Sequence, residues 1–147
     1  MRKVVIARHG EYNDDLTLNT YGAGQMKRLA EHLKTLSCAR VIVLASTATR
    51  ASASGDVMAD VMGCAIEYHE LLWPDNEHGE DPLKVIDLIK RKADDFDMVI
   101  IVTHLEYTDC LPQDVGRMLG GMMVPYSLIS KGHAWIFDTV DKTSILV

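Results

Sequence analysis

What is scarce in this 147-residue chain narrows its class before any motif is considered. The three cysteines, Cys38, Cys64 and Cys110, are odd in number, far apart and without a C-x-x-C pair. That excludes a disulfide framework and suits a reducing compartment, with the thiols serving as small buried hydrophobes. Long apolar runs are missing too. Val4-Val5-Ile6-Ala7 is broken at once by Arg8, which is too short for a signal peptide, and nothing approaches the roughly 20 apolar residues of a membrane span. A soluble, cytoplasmic protein with no membrane partner is expected. An excess of positive charge is also lacking, with a net charge of -6 and a pI of about 5.4. That argues against a nucleic-acid partner, which favours a basic footprint, but a few arginines can still dominate a cleft on an acidic protein. Metal-ligand spacing is absent as well: His69, His78 and Glu80 match no common site. No internal repeat or low-complexity linker divides the sequence, so residues 1–147 are expected to form a single domain. Its 48% hydrophobic residues suffice for a sizeable core.

What is present is an alternation of two hydrophobic periods. Val4-Val5-Ile6-Ala7, Val41-Ile42-Val43-Leu44-Ala45 and Met98-Val99-Ile100-Ile101-Val102 are short β-branched runs suited to strands buried on both faces. Between the first two, Met26, Leu29, Ala30 and Leu33 recur at i, i+3, i+4 and i+7, predicting an amphipathic helix from about Thr20 to Leu36. A small-residue helix is predicted from about Thr49 to Met62, stopped by Gly63, and a short strand over Cys64 to His69. An acidic irregular stretch, Pro74 to Asp81, leads into a helix with Asp81 as N-cap and Pro82 in its first turn, reaching about Asp94. A further helix is predicted near Gln113 to Leu119, ended by Gly120-Gly121. The remainder reads as a hairpin, Ala134 to Phe137 and Ser144 to Val147, turning at Asp141-Lys142. This order predicts an α/β fold, a three-layer α/β/α sandwich around a mostly parallel, mixed sheet.

Three polar clusters fall at three predicted strand ends. Arg8-His9-Gly10-Glu11 follows the first strand, Ser46-Thr47-Ala48-Thr49-Arg50 the second, and Thr103-His104 the run ending at Val102. Ligands of such sheets bind beyond the carboxyl ends of the strands, so parallel neighbours would bring two histidines and two arginines to one rim. Arginines bind phosphate oxygens bidentately, helix N-termini add backbone donors, and a neutral imidazole beside them can act as nucleophile. Ser46 either turns the chain and caps the helix or contacts phosphate. Glu11 either hydrogen-bonds near the site, faces solvent or pairs with a lysine. Cys110, Trp73, Trp135 and the Met118, Met122 and Met123 cluster carry no chemistry beyond packing or rim contacts.

These residues resemble the signature of the histidine phosphatase superfamily, the phosphoglycerate-mutase-like fold. Arg8-His9-Gly10-Glu11 is similar to its R-H-G motif. Leu18, Gly22 and Gln25 fit its L-T-x-x-G-x-x-Q segment, with Asn19 where threonine is usual. Ser46 to Ala51 resembles its S-x-x-x-R-A motif, and Thr103-His104 its late second histidine. The four matches run in order over most of the chain. The resemblance implies two-step, metal-independent phosphoryl transfer without a cofactor. His9 would be the nucleophile, Arg8, Arg50 and His104 would hold the equatorial oxygens, and Asn13 lies near the place of a phosphate-binding asparagine, at shorter spacing. It also implies an acid after the third strand. Glu70 stands about there, with Asp75, Glu77 and Glu80 as rivals.

The chain is closest in size to the small phosphohistidine-protein phosphatases, which implies an open site rather than a mutase. The substrate would be a phosphorylated protein side chain or a small phosphomonoester. One departure stands out: Leu105-Glu106-Tyr107 follows His104 where the family usually has glycine. It supports an alternative, a catalytically weak module of the same fold that binds phosphorylated ligands or regulates.

Overall fold

The alternation of strand and helix periods becomes a six-stranded sheet flanked by four helices in the computed structural model, which describes all 147 residues. In chain order the elements are β1 (Lys3–Arg8), α1 (Thr20–Lys34), β2 (Val41–Ser46), α2 (Thr49–Met62), β3 (Ala65–His69), α3 (Pro82–Lys92), β4 (Met98–Thr103), α4 (Leu105–Met118), β5 (Ala134–Asp138) and β6 (Thr143–Leu146), with a single 3-10 turn at Glu70–Leu72. The strands lie in the order β3-β2-β4-β1-β5-β6. β1 to β4 run parallel, and the closing β5–β6 hairpin is antiparallel to its neighbours. The sheet is therefore mixed and mostly parallel, as the sequence implies.

The alternation of side chains along each strand divides the core into two layers. Val4, Ile6, Ile42, Leu44, Val99 and Ile101 face α3 and α4, meeting Val85, Ile89, Tyr107, Leu111 and Val115. Val5, Ala7, Val43, Ala45, Ile100 and Val102 face α1 and α2, meeting Met26, Leu29, Leu33 and Met58. Small residues decide how close α2 can come. A Cβ on Gly55 would stand 2.7 Å from the Cβ of Ala45, so α2 lies almost on the backbone of β2.

Helix ends follow their local chemistry. Asn19 accepts a hydrogen bond from the Gly22 N–H and caps α1, so the residue that departs from the family threonine still does a capping residue's work. Asp81 caps α3 by accepting from Lys84 N–H, and Gly63 ends α2 in the left-handed conformation. One expectation is corrected. The last helix begins at Leu105 rather than near Gln113, and Pro112 lies inside it. Tyr107, Thr108, Leu111 and Val115 are buried along one face, and this packing outweighs the backbone hydrogen bond that Pro112 cannot donate. No helix is long and apolar enough to cross a membrane.

Candidate active site

The parallel register brings the polar clusters level. Arg8 at the end of β1 pairs with Thr103 at the end of β4, while Ala45 beside Ser46 on β2 pairs with Val102. At that rim the sheet is crossed into helices by very short connections: Thr47-Ala48 between β2 and α2, and His104 alone between β4 and α4. Neither helix has a side chain closing its first turn, so both open at the rim with free backbone N–H groups.

His9 is held by its flanking backbone. Its own N–H donates to the Thr103 carbonyl at 3.0 Å, and its ring Nδ1 lies 2.9 Å from the Gly10 carbonyl. A carbonyl only accepts, so Nδ1 carries the hydrogen and Nε2 keeps its lone pair. Burial is the main force lowering the ring's pKa, and the charges of Arg50, Arg8 and Lys131 add to it. They outweigh the bond to Gly10 and bring His9 from 6.5 to about 4. The glycine in Arg8-His9-Gly10 is explained by its neighbour. A Cβ on Gly10 would lie 2.6 Å from the Gly22 carbonyl oxygen, and one on Gly22 would lie 2.1 Å from the Glu11 carbonyl oxygen. The loop after β1 and the start of α1 thus touch backbone to backbone.

His104 stands 5.1 Å from His9, ring centroid to centroid, with the rings edge to face. Arg50 approaches its Nδ1 at 3.3 Å, and because guanidinium only donates, Nδ1 is the acceptor. Its Nε2–H therefore donates to Ser46 Oγ at 2.8 Å, which also accepts from the Ala48 N–H. Burial again leads, with His9, Arg50 and Arg8 contributing, and the pKa falls to about 3. Both imidazoles are neutral at neutral pH. Arg8 donates to the Ile129 carbonyl at 3.0 Å, yet its Nε–H and that of Arg50 are buried without a protein partner. Buried donors left without an acceptor cost free energy.

His9, Arg8, Arg50, His104 and Ser46 are thus brought together. The other candidates make no hydrogen bond to these five. Asn13 is exposed and spends its amide on Thr17 Oγ1 within its own loop. Glu70 is exposed in the turn after β3, beside a groove shared with Asn76, His78, Asp81 and Lys84, and no hydrogen bond joins it to either histidine. Asp75, Glu77 and Glu80 are exposed on the same loop. Glu11 pairs with a lysine, Lys131, at 3.3 Å. Within the Leu105-Glu106-Tyr107 departure, Leu105 is half-buried and Glu106 exposed in the first turn of α4, while Tyr107 is fully buried in the core, where its hydroxyl accepts from Asp81 N–H and donates to the Leu71 carbonyl.

Two residues at the pocket carry no motif and escape sequence reasoning. The Tyr12 ring stands 5.3 Å from that of His9, with the Arg50 guanidinium 5.2 Å and the Lys131 ammonium 4.6 Å from its centroid. Ser54 is a third: its Oγ accepts from Gly10 N–H and donates to the Arg50 carbonyl, tying α2 to the loop after β1.

The sheet order and the helices on both faces are those of the phosphoglycerate-mutase-like fold. Among solved structures it is similar to the protein histidine phosphatase SixA complexed with tungstate, at 20% identity and a TM-score of 0.75 over 99% of this chain and 94% of that one. It is also similar to a mycobacterial glucosyl-3-phosphoglycerate phosphatase, at 14% identity and a TM-score of 0.67 over 94% and 91% of the two chains. The alpha-ribazole phosphatase of Shigella flexneri aligns at 16% identity and a TM-score of 0.62 over 99% and 94%. No protein-family model and no curated protein matches the sequence.

Proposed function

We propose that this chain is a phosphatase acting through a phosphohistidine on His9, without metal or organic cofactor. The observation that carries this reading is the bond from His9 Nδ1–H to the Gly10 carbonyl, which leaves Nε2 unprotonated beside the charges of Arg50 and Arg8. The similarity to phosphatases of the same fold, one of them solved with tungstate, supports it.

In the first step Nε2 attacks phosphorus, a P–N bond forms, and the bond to the leaving group breaks as that group takes up a proton from solvent. In the second, water attacks phosphorus and gives a proton back to solvent, the P–N bond breaks, and His9 regains its lone pair as inorganic phosphate leaves. Arg8 and Arg50 hold the equatorial oxygens, so positioning and charge compensation supply most of the acceleration, and His104 joins them by turning the N–H it gives Ser46 toward the phosphoryl group. Until then Ser46 orients His104 by accepting its Nε2–H. Neither histidine is hydrogen-bonded to a carboxyl group. This favours substrates whose leaving group needs little help from a protein acid, a phosphorylated protein side chain of the phosphohistidine kind before a small alkyl phosphomonoester. The same observation favours a second reading, a module that binds phosphorylated groups without turnover.

Hydrolysis of p-nitrophenyl phosphate and of a phosphohistidine-bearing protein, with excess EDTA, tests both. Turnover that resists the chelator and falls at least about a thousandfold in His9→Ala is expected, as for loss of a covalent nucleophile. Undiminished turnover in that variant overturns the mechanism. Phosphate binding without turnover on either substrate selects the binding module.

A further inference from the structure

Lys131 lies far from the histidine motifs in sequence, yet the fold spends several bonds on holding it at the pocket. Gln25 on α1 accepts from the Glu11 N–H at 2.9 Å and donates to the Lys131 carbonyl at 3.2 Å, so one side chain ties both loops. Gly132 N–H, next in line, reaches the carbonyls of Arg8 and His9 at 3.2 and 3.0 Å. A Cβ at Gly132 would lie 2.6 Å from Gln25 Cβ, so this segment is pressed against α1. The backbone is fixed, and the ammonium extends over the Tyr12 ring, which itself borders His9.

We infer that Lys131 is a further anion contact of the pocket, resting on Glu11 and exchanging that carboxylate for the phosphoryl group when substrate binds. The inference rests on the pocket being a phosphate site. The Glu11–Lys131 contact is 3.3 Å long and both side chains remain partly in water, at 39% and 27% exposure. Such a pair is weak, whereas a phosphate brings more charge and three acceptor oxygens. The charge of Lys131 already acts on His9, which places it within electrostatic reach of the nucleophile. The Tyr12 ring, close to both Lys131 and Arg50, offers each cation a favourable aromatic contact beside His9.

The inference predicts opposite signs for two partners of one ion pair. Calorimetric titration with inorganic phosphate reads binding without needing turnover. Lys131→Met should weaken phosphate binding about tenfold, the scale of one charge-assisted hydrogen bond, and Lys131→Arg should recover most of it. Glu11→Gln should tighten binding about threefold by removing the resting competitor. A purely structural pair would weaken binding in both variants or in neither, and either result overturns the exchange. Circular dichroism of each variant separates a folding defect from a binding one. If wild-type protein takes up no phosphate, the phosphate site itself fails, and the inference with it. Wild-type binding matched by an unchanged Lys131→Met overturns only the role of Lys131.

Discussion

Two imidazoles with centroids 5.1 Å apart, both held neutral, set the pH behaviour of the pocket. The His9 pKa of about 4 lies below the ordinary 6.5, so the ring keeps its lone pair through the neutral range. If His9 is the nucleophile, kcat/KM should hold from pH 7 down to about 5 and fall as the pH drops through about 4. A profile falling with a midpoint near 6.5 would mean an imidazole titrating as if exposed. Linkage gives a companion effect. The unfolded chain takes up a proton at His9 near pH 6.5 and the folded chain does not until about 4, so stability is full above 6.5 and is lost as the pH falls through that window. The loss is on the order of 3 kcal/mol for His9 alone, and urea unfolding of wild-type and His9→Asn chains at pH 7 and pH 4 should show it shrink in the variant. At this scale the sequence was legible where chemistry and strand ends coincide. Arg8, His9, Arg50 and His104 each follow a recognisable run of β-branched residues. Tyr12 and Lys131 were not, because contact between an ammonium and a ring leaves no spacing pattern, and the two stand at opposite ends of the chain. Glu70 stands at the expected place in the sequence, but the one-turn helix there buries Leu72 and leaves Glu70 exposed.

At the level of elements, the pocket depends on how closely the loop after β1 approaches α1. Gly22→Ala would put a methyl 2.1 Å from the Glu11 carbonyl oxygen, a backbone atom that cannot swing aside. Overpacking of this kind costs about 1–3 kcal/mol, and thermal melting should register it. Turnover should fall with it, since the displaced loop carries His9 and Gly10. An unchanged melting temperature would mean that the loop shifts freely. Element positions were readable from hydrophobic period, turn residues and caps, as Asn19, Gly63 and Asp81 show. The start of α4 was hidden for two reasons. His104 offers no side-chain cap to mark the entry, and Pro112 reads locally as a helix's first turn although it sits mid-helix. Only the tertiary burial of Tyr107 and Leu111 reveals that the helix begins earlier.

For the whole molecule, charge is distributed against its average. A chain of net charge -6 gathers Arg8, Arg50 and Lys131 at one rim, and only Glu11 among the acids is paired there. Inorganic phosphate should therefore raise the melting temperature by mass action, gaining about 2.7 kcal/mol at a hundredfold excess over Kd. Arg50→Met should abolish most of that rise, and a full shift in the variant would show that phosphate stabilises the chain elsewhere. The layer order and mixed sheet were readable in advance because alternating strand and helix periods admit few arrangements. The strand order was not, since β1 pairs with β4 and β5, neither its neighbour in sequence. That pairing bears on synthesis. His9 leaves the ribosome well before β4, which flanks β1 and leads into His104, and before the segment that brings Lys131 and Gly132 onto the backbone of Arg8 and His9. A nascent chain paused before β5 would carry His9, His104, Arg8 and Arg50 while β1 still lacked one of its two neighbouring strands, so the rim is completed only as the hairpin of β5 and β6 emerges.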